Sequence, residues 1–109
     1  ERCAVEWNTK AAKQGNADAQ YNLGVMYDNG QGVAKDERRA VEWYTKAAKQ
    51  GHAKAQYNLG FAYMYGQGLA KDERRAVEWY TKAAKQGHAK AQYNLGFAYM
   101  YGQGLAKDE

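Results

Sequence analysis

Two histidines, one cysteine and twelve carboxylates are the side chains of this chain that could ligate a metal, attack a substrate or carry a proton. Their spacing argues against all three. His52 and His88 stand at matching points of a repeat, 36 residues apart. That places them on neighbouring helical units, about 8–10 Å apart or more. A zinc ion needs ligands near ~2 Å, so no metal site is expected. A single cysteine forms no internal disulfide. A thiol in a first helical turn can be activated, but no histidine lies near Cys3 in sequence, and later copies carry Arg39 and Arg75 in its place. Cys3 reads as a neutral substitution. Glu42 and Glu78 have Arg and Lys neighbours on what reads as a solvated face. No catalytic residue and no cofactor is expected, and the chain reads as non-enzymatic.

A different set of residues suits recognition. Lys54, Tyr57, Phe61, Met64 and Tyr65 fall on one side of a helix. Lys90, Tyr93, Phe97, Met100 and Tyr101 repeat them, and an earlier copy has Asp18, Tyr21, Val25, Asp28 and Asn29. Tyr and Met offer adaptable apolar contact. Lys54 and Lys90 offer charge to acidic groups. Together they predict a groove for a protein or peptide, lying extended or as a helix. The groove is acidic and polar toward the N-terminus, aromatic and basic toward the C-terminus. The competing reading has Phe61 and Tyr65 packing on the next repeat.

The elements that must position these residues are repeats. Residues 37–72 and 73–108 are identical letter for letter, 1–36 is a looser copy, and Glu109 opens a fourth. A fixed period of this length signals stacked units in one array, 1–109. The first copy differs from the second at Cys3, Asn8, Asn16, Asp18, Val25, Met26, Asp28, Asn29 and Val33. Four of these lie on the proposed groove, so that face accepts varied chemistry.

Each unit reads as two helices. Asp36 and Asp72 precede apolar-periodic runs and suit an N-cap, since a carboxylate accepts orphan backbone N–H groups. Ala40, Trp43 or Tyr44, Ala47 and Ala48 form one helix face over 37–50. Arg38–Glu42 and Glu42–Lys46 are i,i+4 pairs on the wet side, and Gly51 ends the helix. His52 caps a second helix over 53–65, as Asn16 does in the first copy. Ala55, Leu59 and Tyr63 form its buried stripe. Gly60 costs about 1 kcal/mol relative to Ala within a helix, so it is expected to admit a close neighbour, as are Gly24 and Gly96. Leu69 is expected to tuck under the following helix. The outer helices are placed over 2–14 and 89–101.

These residues resemble the Sel-one-like repeat, a relative of the tetratricopeptide repeat. The resemblance rests on Ala55, Leu59, Gly60, Tyr63, Gly66, Gly68, Leu69 and Asp72, followed by Ala76, Trp79, Ala83, Ala84 and Gly87. In the first copy Ala19, Leu23, Gly24, Tyr27, Gly30, Gly32 and Asp36 match. The family implies an all-α, right-handed α-solenoid of antiparallel helix pairs. The second helix of each pair lines the concave side. It also implies adaptor proteins that gather partners into complexes. Some bacterial members carry a cysteine pair per repeat and have been linked to β-lactam binding; this chain lacks those cysteines.

Composition bounds the remaining classes. Apolar content of 45% and charged content of 26% are ordinary for a soluble globular chain. No run approaches the ~18 apolar residues of a membrane span. The net charge of +4 is mixed with acids rather than gathered into a basic stripe, so nucleic acid is not an expected partner. Glu1 in place of a start methionine reads as an excised piece, and nothing identifies a compartment. The exact duplication also fits a designed array. Helix 89–101 lacks a following helix over Leu95 and Tyr99, with Leu105 tethering little. Head-to-tail stacking on a second molecule's leading helix is therefore the alternative property.

Overall fold

The computed structural model describes residues 2–102. Six helices follow in order: α1 Arg2–Lys13, α2 Ala17–Asn29, α3 Glu37–Lys49, α4 Ala53–Tyr65, α5 Glu73–Lys85 and α6 Ala89–Tyr101. Each packs on its chain neighbours, most extensively α2 on α3 and α4 on α5. The array is elongated, 52 × 24 × 18 Å. It is an all-α helical repeat solenoid. The expected helices match within one or two residues. Glu109 and Leu105 lie outside the described residues.

The helix starts are set by local chemistry. Asn16 Oδ1 accepts from the Ala19 N–H at 2.9 Å. Asp36 and Asp72 accept from the Arg39 and Arg75 N–H groups at 3.1 Å. His52 and His88 do the same through Nδ1, accepting from Ala55 and Ala91 at 3.2 Å. Each cap satisfies a donor that the first turn leaves free. Gly51 follows the last turn of α3 at φ +94°, a geometry that suits glycine.

The core is built of alanine and a few large residues. Ala40, Tyr44, Ala47, Ala48, Ala55 and Leu59 form one buried cluster across α3 and α4. Of the adjacent pair, Tyr44 goes inward and Trp43 packs back on the preceding unit, against Ala12, Ala19 and Leu23. The close approach expected at Gly60 is real. A Cβ there would lie 2.8 Å from the Tyr80 ring and 3.1 Å from the Ala76 carbonyl oxygen. Gly24 meets Tyr44 in the same way at 2.7 Å.

Three expectations fail. No helix among the described residues crosses Gly96, so a Cβ there would meet nothing within 4 Å. Leu69 packs on the α3–α4 cluster behind it rather than under α5. Gly68 explains this: it lies against the Glu37 carbonyl, so the loop folds back onto the start of α3. The i,i+4 pairs of Glu42 with Arg38 and Lys46 do not form among the described residues. Lys46 instead stands over the Trp43 ring at 5.7 Å. That is reasonable, because an exposed pair gains little and the indole face holds the ammonium and its stem together.

Candidate functional site

The proposed groove residues occupy the exposed side of α2, α4 and α6 at two equivalent junctions. Tyr21 anchors the first. Its ring stacks on His52 at 4.9 Å between centroids and meets Tyr44 at 5.9 Å. Tyr57 anchors the second, stacked on His88 at 4.9 Å and 5.7 Å from Tyr80. Tyr21 and Tyr57 are therefore half-buried parts of the joint. The histidines do two tasks, capping a helix with Nδ1 and stacking on the preceding repeat with the ring.

Beyond the anchors the face opens. Phe61 sits 6.4 Å from Tyr57 and 4.7 Å from Tyr65, a ladder at every fourth residue of α4. Tyr65 is 59% exposed although a repeat follows it. Phe97, Tyr93, Met100 and Tyr101 continue the apolar surface on α6, all exposed. Lys54 and Lys90 are exposed beside it. Val25 and Asp28 are half-buried, and Asn29 and Asp18 exposed. Met64 departs from the expected exposed face. It is 4% exposed, clustered with Ala76 and Tyr80, because α5 lies across the end of α4 that carries it.

Each junction encloses a hollow. The first, about 230 Å³, lies between α2, α3 and α4 and is lined by Asp28, Tyr44, Tyr57, Asn58 and Phe61 among others. The second, about 150 Å³, is lined by Met64, Tyr65, Tyr80, Tyr93, Asn94 and Phe97. In the first, the Tyr44 hydroxyl donates to Asp28 Oδ2 at 3.3 Å. Burial raises the Tyr44 pKa above the ordinary tyrosine value, and the Asp28 charge adds to this. Burial raises that of Tyr80 as well, against a smaller opposing pull from Asn94. Both phenols stay neutral at ordinary pH, and that of Tyr44 donates to Asp28.

Charge differs between junctions. Asp18 Oδ1 lies 2.9 Å from His52 Nε2, whereas His88 faces Lys54 and Lys90 across a shallow hollow. Burial first, then these two lysines, hold His88 below its usual pKa. No three His, Cys, Asp or Glu among the described residues gather as metal ligands. Cys3 is exposed. Among the described residues no helix is long and apolar enough to cross a membrane.

Sequence reasoning missed two features here. Tyr44 stood only as an alternative to Trp43 on a helix face and Tyr80 was not singled out, yet both side chains line the hollows. The second feature is a glutamine ladder along one edge. Gln50 Nε2 donates to the Gly15 carbonyl and to Gln20 Oε1, at 2.9 and 2.8 Å. Gln86 repeats this on Gly51 and Gln56, at 2.8 and 2.9 Å. The signal was the recurrence of both glutamines in every copy.

The known proteins agree with this architecture. The Sel1 repeat family model matches residues 2–16, 17–52, 53–88 and 89–109. These limits pair α2 with α3 and α4 with α5, the most extensive contacts. A protective antigen present in uropathogenic Escherichia coli strains, displaying an SLR fold, is 44% identical with a TM-score of 0.91, over 93% of this chain and 22% of its own. A Sel1 repeat protein from Oxalobacter formigenes is 43% identical with a TM-score of 0.93, over 98% of this chain and 44% of its own. Cysteine rich protein B of Helicobacter pylori is 31% identical with a TM-score of 0.80, over 84% and 68%. No curated protein matches. The chain thus spans less than half the length of the first two of these structures. A family match along all four segments, on a solenoid superposable with solved members, makes the chain a member of the Sel1 repeat family.

Proposed function

We propose that this chain is a non-enzymatic scaffold that binds a protein or peptide along the exposed face of α2, α4 and α6. Sel1 repeat proteins are generally protein-interaction scaffolds. The observation that carries the reading for this chain is Tyr65. It remains 59% exposed inside the array, in ring contact with Phe61 and on the rim of the second hollow. A surface tyrosine with an aromatic neighbour and a concave floor is the kind of anchor that interfaces use. Capture of partners from the source cell by the wild-type chain, but not by Phe61→Ala/Tyr65→Ala of equal stability, tests it. Equal capture by both would overturn it.

The open side of α6 favours a second reading, head-to-tail self-assembly. Tyr99 is 64% exposed, and a Cβ on Gly96 would meet nothing within 4 Å, unlike Gly24 and Gly60. A helix of the α3 type fits there, and α1 of a second molecule is of that type. However, α1 carries Asn8 where α3 and α5 carry Tyr44 and Tyr80. It lacks the ring that fills the glycine notch, which places this reading second. A mass by light scattering that rises with concentration would favour it, and a strict monomer would remove it.

A further inference from the structure

The two junctions share a scaffold but end differently. At the first, Asp28 accepts a hydrogen bond from the Tyr44 hydroxyl and Asp18 faces His52. At the second, Met64 and Lys54 hold the matching positions. Tyr80 is 1% exposed, and among the described residues its hydroxyl has no hydrogen-bond partner. It borders the 150 Å³ hollow, far above the ~10–15 Å³ that admits one water. Asn94 makes no hydrogen bond to the hydroxyl; its Nδ2 donates to Tyr57 instead, at 3.3 Å. The Tyr80 proton is left without a place to go.

We propose that the second junction takes from a partner the carboxylate that the first carries itself. A glutamate or aspartate of an acidic peptide enters past Tyr65 and Phe97 and accepts a hydrogen bond from the Tyr80 hydroxyl. The proposal rests on the peptide-binding reading above and names the chemistry of its ligand. Charge supports it. Lys54, Lys90 and His88 line the adjoining hollow, and no carboxylate among the described residues lines either one. The first junction also supplies a spacing. Asp18 and Asp28 are ten residues apart on α2, about 15 Å along a helix axis. An extended peptide covers that in about five residues. A second acid at that distance would reach His88, Lys54 and Lys90.

The test is fluorescence anisotropy of the full chain with two labelled alanine-based peptides. One has glutamates about five positions apart, the other glutamines. The glutamate peptide is expected to bind about tenfold more tightly or better, as charge-assisted bonds do. Tyr80→Phe should reduce it to the glutamine level. Met64→Asp, which rebuilds the internal carboxylate of the first junction, should do the same. Should Met64→Asp fail to fold, Tyr80→Phe, which keeps the ring against Gly60, decides alone. Undiminished glutamate binding by Tyr80→Phe overturns the proposal, as does binding of neither peptide up to about 1 mM. Equal affinity for both peptides, lost on Phe97→Ala, overturns the carboxylate site while leaving the peptide-binding face intact.

Discussion

The ring of Tyr44 lies where a side chain on Gly24 would have to go, 2.7 Å from the position of its Cβ. Gly60 and Tyr80 repeat the relation. Gly24→Ala must displace a buried ring or part α2 from α3, with the Ala40 carbonyl also close. A loss of about 1–3 kcal/mol is expected. Gly96 has no such neighbour, so Gly96→Ala should stabilise by up to about 1 kcal/mol through helix propensity. Urea unfolding of the two variants checks the opposite signs.

The two buried tyrosine hydroxyls should also respond differently. Tyr44→Phe removes a bond to Asp28 and is expected to cost about 0.5–1.5 kcal/mol. Tyr80→Phe removes a hydroxyl that has no partner among the described residues, and should be neutral or slightly stabilising. Equal losses in denaturant midpoint would show that Tyr80 has an acceptor.

Along the aromatic face, position decides between stability and binding. Tyr57 joins α4 to His88 and Tyr80, so Tyr57→Ala should cost about 1–3 kcal/mol. Tyr65 is exposed, and Tyr65→Ala should change stability by no more than about 0.5 kcal/mol. Thermal melts, run beside a partner-capture assay, separate a structural tyrosine from a contact one.

His88 adds a weak pH dependence with a definite sign. Its pKa in the fold is lowered from 6.5 by burial, Lys90 and Lys54, in that order. Between the folded value and 6.5 the unfolded chain binds more protons, so stability rises with pH across that window. The contribution is full above 6.5 and is lost as the pH falls through the window. His88→Asn, with the residue that caps α2 at Asn16, should abolish it while keeping a cap. Proton NMR of His88 should report a midpoint below 6.5.

Helix limits were legible because a capping side chain marks nearly every start and the apolar spacing is regular. The choice between Trp43 and Tyr44 was not. Both fit the helical period, and what selects Tyr44 is a glycine notch on another helix. Met64 was placed on the groove by its spacing from Phe61, yet α5 covers it. The spacing rule describes one helix and knows nothing of what crosses its end. The link from Tyr44 to Asp28 was hidden for the same reason. The ladder of half-buried Phe61 and exposed Tyr65 was readable, because every fourth residue of α4 shares a face whatever its neighbours.

His52 and His88 tie two events together. The atom that closes the first turn of α4 or α6 belongs to the ring that grips the preceding repeat through Tyr21 or Tyr57. Starting a helix is its costly step, and here that step gains from a neighbour already folded. Order should therefore spread along the array from a formed unit to its neighbour.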